Sequence, residues 1–394
     1  MEIQGFSFSA VKAGVRYTDR LDLGLIHADC PCVTAGVFTT NLVKAAPVIL
    51  DIERLKNNQA QAILVNSGCA NACTGDAGME AALKTSSMVS KRLGISEGLT
   101  QLSSTGVIGE PLNVTAFEDS MESLVSGLSG KKFTEVAKAI MTTDTVHKVA
   151  EATLSIGGKQ VKIMGMAKGA GMIMPNMATM LAFVCTDCSV ESATLQKMLK
   201  DANARTFNRI TIDGDSSTND MVLVMANGLA DNATIDETSP EEQQIFQKAL
   251  EELLKDLALQ IVSDGEGASK TITVRITGAA TDEEAETLAR TVATSSLVKT
   301  AFFGEDANWG RILAALGRAG VSFSPSRVKL SFGGVMLVEN GLGLGKEAED
   351  RATEVLKDNS FTVEIEVGEG TGTADLYTCD FSIDYVKINA DYRS

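Results

Sequence analysis

The middle of the chain reads Lys168-Gly-Ala-Gly-Met-Ile-Met-Pro-Asn-Met-Ala-Thr179-Met-Leu-Ala-Phe-Val-Cys-Thr-Asp187. The glycines and Pro175 argue against a regular helix over the first half of this stretch. The apolar run at 180–184 has the length of a buried strand. Thr179 therefore stands where an irregular segment becomes a strand, a position that suits attack of its hydroxyl on the preceding carbonyl, at the bond between Ala178 and Thr179.

Two interpretations of Thr179 follow from the residues. In the first, Thr179 cleaves its own peptide bond and becomes a new N-terminus. Its α-amine, with an unperturbed pKa of roughly 7.7–8.0, then acts as the base for its own hydroxyl. In the second, Thr179 is an ordinary β-branched residue of a methionine-rich core strand. From spacing alone, the second interpretation is the commoner one.

The composition narrows the class of protein. A chain of 394 residues can form two domains or one large two-lobed one. With 35 basic and 51 acidic residues, the net charge of −16 argues against nucleic acid or an anionic membrane as partner. No apolar run approaches the roughly 18 residues of a membrane span, and the first residues do not resemble a signal peptide. We therefore expect a soluble cytoplasmic protein.

Six of the seven cysteines form pairs that are close in sequence, a pattern that can indicate a metal site. Only one pair has two-residue spacing, however, and the chain contains two histidines, so we expect small buried side chains and no metal site. A metal-binding or scaffolding protein stays as the non-enzyme alternative. The cysteines are Cys30, Cys32, Cys69, Cys73, Cys185, Cys188 and Cys379.

The rest of the chain alternates between helical and extended patterns, which predicts an α/β fold of layered sheets covered by helices. Strands are predicted at 61–65, 180–184, 221–226, 271–277, 328–332, 362–367 and 381–388. Helices are predicted at 76–93, twice within 115–141, at 191–207, at 240–262 and at 283–298.

Three further places carry candidate chemistry. The hydroxyl of Thr105 and the N–H of Gly106 are donors suited to an oxyanion, although the same residue types also form turns. The small-residue loop 66–75, between a strand and a helix, could hold an anion or could be a tight connection. Lys168, flanked by small residues, suits the α-carboxylate of an amino-acid substrate in a confined setting.

A family resemblance connects these places. The run KGAGMIMPNMATML at 168–181 resembles the self-cleavage site of the ornithine acetyltransferases, the glutamate N-acetyltransferases of cyclic arginine biosynthesis. Segment 304–312 resembles that family's Asp-Pro-Asn-Trp-Gly-Arg motif, with Ala307 in place of the proline, and 208–220 also matches. The matches span nearly the whole chain, so we favour the interpretation in which Thr179 is the nucleophile.

The resemblance implies a fold and an assembly. It implies an αββα-type core like that of the β-peptidyl aminopeptidases. Cleavage between Ala178 and Thr179 would leave an α chain of residues 1–178 and a β chain of residues 179–394, and the family assembles these as α2β2 heterotetramers.

The resemblance also assigns residues. Thr105 and Gly106 would form the oxyanion hole. Thr142 would contact substrate, with its register uncertain within 142–145, and Cys69 stands where the family is expected to have asparagine, so we assign its loop no ligand. The implied substrate-binding residues are Thr142, Lys168, Thr179, Glu266, Asn389 and Ser394.

The implied activity is transfer of acetyl from N2-acetylornithine to glutamate through an acetyl ester on Thr179, by a ping-pong mechanism with no cofactor. We expect acetyl-CoA to serve as a second acetyl donor. The alternatives are a monofunctional ornithine acetyltransferase that does not use acetyl-CoA, and a related self-cleaving aminopeptidase or amidohydrolase.

Overall fold

The computed structural model describes residues 2–174 and 180–391. Its helices are α1 (Ala46–Arg54), α2 (Gly75–Leu93), α3 (Val114–Ser126), α4 (Phe133–Ala139), α5 (Ser192–Arg205), α6 (Pro240–Ser263), α7 (Asp282–Ala293), α8 (Ser296–Phe303), α9 (Trp309–Gly317), α10 (Lys346–Val355) and α11 (Ile383–Ala390). Its strands are β1 (Phe6–Val11), β2 (Leu23–Phe38), β3 (Gln59–Asn66), β4 (Thr100–Ser104), β5 (Lys148–Ile156), β6 (Lys159–Lys168), β7 (Leu181–Thr186), β8 (Ile210–Thr211), β9 (Met221–Ala226), β10 (Thr271–Ala279), β11 (Lys329–Phe332), β12 (Val335–Glu339), β13 (Leu342–Gly343), β14 (Ser360–Glu366) and β15 (Gly372–Cys379).

The chain divides into two compact units. The first comprises Met1–Asn208 and Asp215–Ile261, and the second comprises Arg209–Gly214 and Val262–Ser394. The predicted cleavage point between 178 and 179 therefore falls within the sequence of the first unit, between β6 and β7. The two predicted chains thus do not coincide with the two units, and that boundary stays a prediction.

The first unit is built on a mixed sheet. Its described strands are ordered β4-β3-β2-β9-β7-β6-β5, and β1 pairs with β2. β6 and β7 are antiparallel, with Lys168 opposite Leu181, while β7 and β9 run parallel. The sheet therefore places the last residue of β6 beside the first residue of β7.

Along β3 both faces of this sheet are buried, and the successive side chains of the strand point to these opposite faces. Along β3, Ile63 and Val65 contribute to a core cluster with Phe133 of α4. Leu64 belongs to a separate cluster that contains Phe117 of α3 and residues of α2. Helices thus supply apolar side chains to each of the two clusters.

The second unit has its own sheet, whose described strands are ordered β13-β12-β11-β14-β10-β15-β8. Ile272 and Val274 of β10 share a core cluster with residues of α7, α8, α9 and α10. Arg275, between two inward residues, forms an ion pair with Asp375 across β10 and β15 at 2.7 Å. One face of this sheet therefore packs against helices, and the other carries polar cross-strand pairs.

The predicted α/β class, with sheets covered by helices, is confirmed. The predicted strand at 381–388 is wrong, because Ile383–Ala390 is helix α11, started by Ser382, whose Oγ accepts from the N–H of Tyr385. The helix predicted at 283–298 is two helices, α7 and α8. The hairpin of β5 and β6 was not predicted.

Within the described residues, no helix has both the length and the apolar character needed to cross a membrane.

Candidate active site

The centre of the candidate site is Lys168, the last residue of β6, which is only 9% exposed. Its Nζ donates to Thr142 Oγ1 at 2.8 Å and to Thr105 Oγ1 at 3.3 Å. The fold of the first unit therefore brings together three predicted site residues that are 26 and 63 positions apart in sequence.

A fourth residue, Asp144, organises this cluster and was not singled out from the sequence. Its Oδ1 accepts from Lys148 Nζ at 2.8 Å and from the backbone N–H of Gly169 at 2.7 Å. Its Oδ2 accepts from the backbone N–H of Thr142 at 3.0 Å and lies 4.0 Å from Lys168 Nζ. The carboxylate of Asp144 thus connects three parts of the chain, which are the start of β5, the end of β6 and the segment before β5.

The charge state of Asp144 follows from these neighbours. Burial alone would raise the pKa of Asp144, but the ammonium groups of Lys168 and Lys148 and the hydrogen bonds to the carboxylate outweigh burial and hold the pKa at about 2. The carboxylate is therefore ionised at neutral pH.

Lys148 is the second cation of the cluster and is completely buried. It starts β5 opposite Ala167 of β6, so the hairpin places it next to Lys168. Besides Asp144, it donates to the carbonyl of Val146 at 3.2 Å. A buried ammonium needs such partners, because leaving water without them is costly.

Arg20 supports the same segment by donating to the carbonyls of Met141, at 2.8 Å, and Thr142, at 3.1 Å. The position of Thr142 is therefore fixed by Arg20 at its carbonyl, by Asp144 at its N–H and by Lys168 at its hydroxyl. Within 142–145, Thr142 is thus a threonine whose hydroxyl accepts from Lys168, while its assignment to substrate stays a prediction.

The backbone at Gly106 explains why glycine is required beside Thr105. Gly106 has φ +134°, and a Cβ there would lie 2.3 Å from the carbonyl carbon of Gly68. Its N–H donates to no group in residues 2–174 and 180–391, and the Thr105 hydroxyl accepts from Lys168 and keeps its own hydrogen to donate. Two donors are thus available for an oxyanion.

The side chains of two buried asparagines form hydrogen bonds with Ser104, the residue before Thr105. Asn219 Nδ2 donates to the carbonyls of Ala70, at 2.6 Å, and Ser104, at 2.8 Å. Asn66 Oδ1 accepts from the hydroxyl of Ser104 at 2.7 Å. Neither was identified from the sequence, where an asparagine beside a strand is typical of any turn.

Backbone hydrogen bonds join the loop 66–75 to the segment 105–107. The N–H of Ala70 donates to the carbonyl of Val107 and the N–H of Val107 to the carbonyl of Gly68. Cys69, where asparagine was expected, is buried and its Sγ contacts the carbonyl of Glu110 at 3.4 Å. The anion-binding interpretation of this loop stays a prediction.

In the second unit, the predicted residues Glu266 and Asn389 form a pair. Asn389 Nδ2 donates to Glu266 Oε2 at 2.8 Å, and Glu266 is 8% exposed. Gly267, at φ +68°, lets helix α11 approach closely, and Ser382 donates to its carbonyl at 2.6 Å. This contact aligns Asn389 with the turn that carries Glu266.

Three predicted residues, Ala178, Thr179 and Ser394, lie outside the described residues. The nearest described position to Thr179 in the following strand is Leu181 of β7, which pairs with Lys168. No cluster of three or more His, Cys, Asp or Glu side chains suited to a metal ion occurs in residues 2–174 and 180–391.

Fold and site together define an α/β protein with a buried cationic cluster beside a pair of oxyanion donors. A family model described as the ArgJ family matches residues 7–394, so the chain belongs to the ArgJ family. This confirms the family recognised from the sequence.

Individual relatives agree with this assignment. The arginine biosynthesis bifunctional protein ArgJ of Desulfotalea psychrophila is 64% identical over the full length of both chains, and that of Geobacter sulfurreducens is 51% identical over the same span. The crystal structure of the ArgJ protein of Bacillus halodurans is 44% identical, covers 54% of this chain and 99% of its own, and superposes with a TM-score of 0.52.

Proposed function

We propose that this protein is a glutamate N-acetyltransferase that moves acetyl from N2-acetylornithine to glutamate through an ester on Thr179. Membership of the ArgJ family carries the assignment to acyl transfer in arginine biosynthesis. The observation that supports the site is the position of Lys168, which pairs with Leu181 across β6 and β7. In sequence, only Met180 separates Leu181 from Thr179.

Self-cleavage at the bond between Ala178 and Thr179 would generate the nucleophile. The freed α-amine of Thr179 takes the proton of its own hydroxyl as the oxygen attacks the acetyl carbonyl of N2-acetylornithine. The oxyanion that forms accepts hydrogen bonds from the hydroxyl of Thr105 and the N–H of Gly106. Collapse expels ornithine, whose amine takes the proton back, and leaves acetyl-Thr179.

Deacylation reverses these steps with another amine. The amine of glutamate attacks the ester, the Thr179 amine accepts its proton, and N-acetylglutamate leaves as the Thr179 hydroxyl is restored. No metal or organic cofactor is required, because the nucleophile carries its own base. Acetyl-CoA would charge Thr179 in the same way as N2-acetylornithine.

The other predicted residues would recognise substrate groups. The ammonium of Lys168 suits an α-carboxylate, and Thr142, fixed at three points, supplies a hydroxyl beside it. The carboxylate of Glu266, paired with Asn389, suits a substrate ammonium, and Ser394 is assigned to substrate by resemblance. We further propose that the cleaved chains assemble as an α2β2 heterotetramer in the cytoplasm.

The test begins with an intact-mass spectrum of the purified protein and N-terminal sequencing. We expect two chains, the second beginning Thr-Met-Leu-Ala, and an uncut, inactive chain for Thr179→Ala. Glutamate-dependent release of ornithine from N2-acetylornithine then measures transfer, and acetyl-CoA is assayed in parallel. Hydrolysis without an acceptor would favour the aminopeptidase alternative, and full activity of Thr179→Ala would exclude the mechanism.

A further inference from the structure

Three polar side chains near Thr105 are buried without protein partners. Gln101 and Ser67 are 0% exposed, and Ser103 is 1% exposed. Neither amide atom of Gln101 and neither of the two serine hydroxyls has a hydrogen-bond partner in the described part of the chain. Leaving such groups unpaired is costly, and native proteins pair nearly all of them with protein or with ordered water. These side chains therefore need partners that the described protein groups do not supply.

Gln101 and Ser103 lie on one face of the first sheet. In the parallel pairing of β3 and β4, Gln101 is opposite Ile63 and Ser103 is opposite Val65, and both apolar residues belong to one core cluster. Paired residues point to the same face of a sheet, and so does every second residue along a strand. Thr105, two residues beyond Ser103, therefore follows them on this face.

The position of Lys168 agrees with this arrangement. Met164 and Met166 of β6 belong to the same core cluster, so Lys168, the next alternate residue of that strand, points to that face as well. There its Nζ donates to the hydroxyl of Thr105 at 3.3 Å. The hydroxyl of Thr105 is thus on the same side of the sheet as the unpaired groups of β4.

Ser67 brings a further hydroxyl to the same place. The N–H of Thr105 donates to the carbonyl of Asn66 at 3.0 Å, which extends the parallel ladder by one step and puts Ser67 beside Thr105. Adjacent strands are about 4.8 Å apart, and alternate residues of one strand are about 6.8 Å apart. With hydrogen bonds of about 2.8 Å, these spacings suit one water between the hydroxyls of Ser67, Ser103 and Thr105.

We propose that Ser67, Ser103 and Gln101 hold ordered water that donates a hydrogen bond to the hydroxyl oxygen of Thr105. A buried water needs two to four polar partners, and the three hydroxyls together with the amide of Gln101 supply them. The Thr105 oxygen then accepts from Lys168 and from the water, so its own hydrogen is left to point towards the oxyanion. This inference rests on the proposed function, and its three residues are positioning residues that do not touch the substrate.

The kinetic test is a double-variant cycle between Ser103 and Thr105. Ser103→Ala should lower kcat for acetyl transfer about tenfold and leave the KM of N2-acetylornithine within about twofold, because the oxyanion forms only as the reaction proceeds. In a Thr105→Ala background the same substitution should change kcat by less than about twofold, because no hydroxyl is left to orient.

Ser9→Ala is the matched control for this cycle. Ser9 of β1 is 1% exposed, and its hydroxyl also lacks a hydrogen-bond partner among the described residues. The substitution therefore removes the same kind of group from another strand, and it should keep the wild-type kcat.

A second test does not depend on activity. If the amide of Gln101 were buried without water, Gln101→Met would remove an unpaired polar group and raise the unfolding temperature. We expect the unfolding temperature to stay the same or to fall. A high-resolution crystal structure of the purified protein should show an ordered water within hydrogen-bond distance of Ser67, Ser103 and Thr105.

Four results would overturn the inference: no water at this place in the crystal structure, a higher unfolding temperature for Gln101→Met, an unchanged kcat for Ser103→Ala, or an equal fall in kcat for that variant with and without the Thr105 hydroxyl. Absence of transfer from N2-acetylornithine to glutamate in the wild type is a different result. It would refute the proposed function, while the crystal structure would still decide whether the water is bound.

Discussion

At the scale of single residues, the candidate site depends on buried polar groups with complete sets of partners. Asp144 accepts hydrogen bonds from two backbone N–H groups and from Lys148, and Asn219 donates to two carbonyls. Buried groups of this kind are costly to leave unpaired. They therefore fix the positions of Thr105, Thr142 and Lys168 more tightly than surface contacts could.

Gly106 gives a prediction at this scale. Gly106→Ala should lower activity at least tenfold and destabilise the fold by about 1–3 kcal/mol, because φ +134° is strained for alanine and its Cβ would clash with the backbone of Gly68. Gly109→Ala is the matched control, since Gly109 also has positive φ, +85°, but no atom lies within 4 Å of a Cβ there.

The measurement for these two variants is thermal unfolding together with the rate of acetyl transfer. Gly109→Ala should lose only about 1 kcal/mol of stability, the strain of a left-handed residue, and should keep its activity. Equal effects of the two substitutions would show that the close approach of Gly106 to Gly68 does not matter.

At the scale of elements, the edge strand β4 shows how helix α1 completes the first sheet. Asp51 of α1 is fully buried, and its two carboxylate oxygens accept from the N–H of Leu102 at 2.9 and 3.1 Å. Arg54 of the same helix donates to the carbonyl of Thr100 and to Ser86. Side chains of α1 thus replace the missing neighbouring strand, which protects an edge from pairing with other chains.

Asp51 makes stability depend on pH in a defined direction. Burial raises its pKa well above the usual value near 3.8, against the opposing effects of the Leu102 N–H and Arg54. The folded state therefore favours the neutral acid. The stability that this preference contributes is fully present below the pKa of Asp51 in the unfolded state, and it is lost as pH rises through the pKa of Asp51 in the folded state. Asp51→Asn, which cannot ionise, should gain stability relative to wild type as pH rises from about 4.

Scanning calorimetry of wild type and Asp51→Asn across that pH range provides the measurement. Ionisable groups shared by the two proteins cancel in the difference of their melting temperatures. A difference that stays constant with pH would mean that the pKa of Asp51 is the same in the folded and unfolded states.

At the scale of the whole molecule, the reactivity of the cysteine thiols indicates how completely the cores are packed. Cys32 and Cys185 are buried in the first unit, where burial raises the pKa of each thiol, and burial raises the pKa of Cys188 to about 12. Cys379 is buried in the second unit, and Cys73 is exposed. Only the thiolate reacts with alkylating reagents, so burial and a raised pKa act together.

Iodoacetamide should therefore label Cys73 in the native protein at least about 100-fold faster than Cys32, Cys185, Cys188 or Cys379. Peptide mass spectrometry over a time course gives the rates, and labelling in guanidinium chloride should reach all seven cysteines. Rapid native labelling of Cys185 would contradict the packing of β7 in the first core.

Much of the fold was accessible from local patterns. Helix α2 and strand β9 were predicted because their periodicity is strong and uninterrupted. The β5–β6 hairpin was not predicted, although apolar and polar residues alternate along 150–156 and two glycines of positive φ follow at 157 and 158. Helix α11 was taken for a strand because Ile383, Val386 and Ile388 are apolar, although all three are exposed.

By itself the sequence determined the family, through the motif around Thr179 and the segment at 304–312, and with it the chemistry of acyl transfer. These motifs can be recognised without knowledge of the fold, because each lies within one short stretch of sequence. Only the tertiary structure showed that Lys168 contacts Thr105 and Thr142, and that Asp144 lies beside both Lys148 and Lys168. The physical reason is that burial and charge pairing arise from contacts between distant segments, and a buried lysine looks in the sequence like any lysine on the surface.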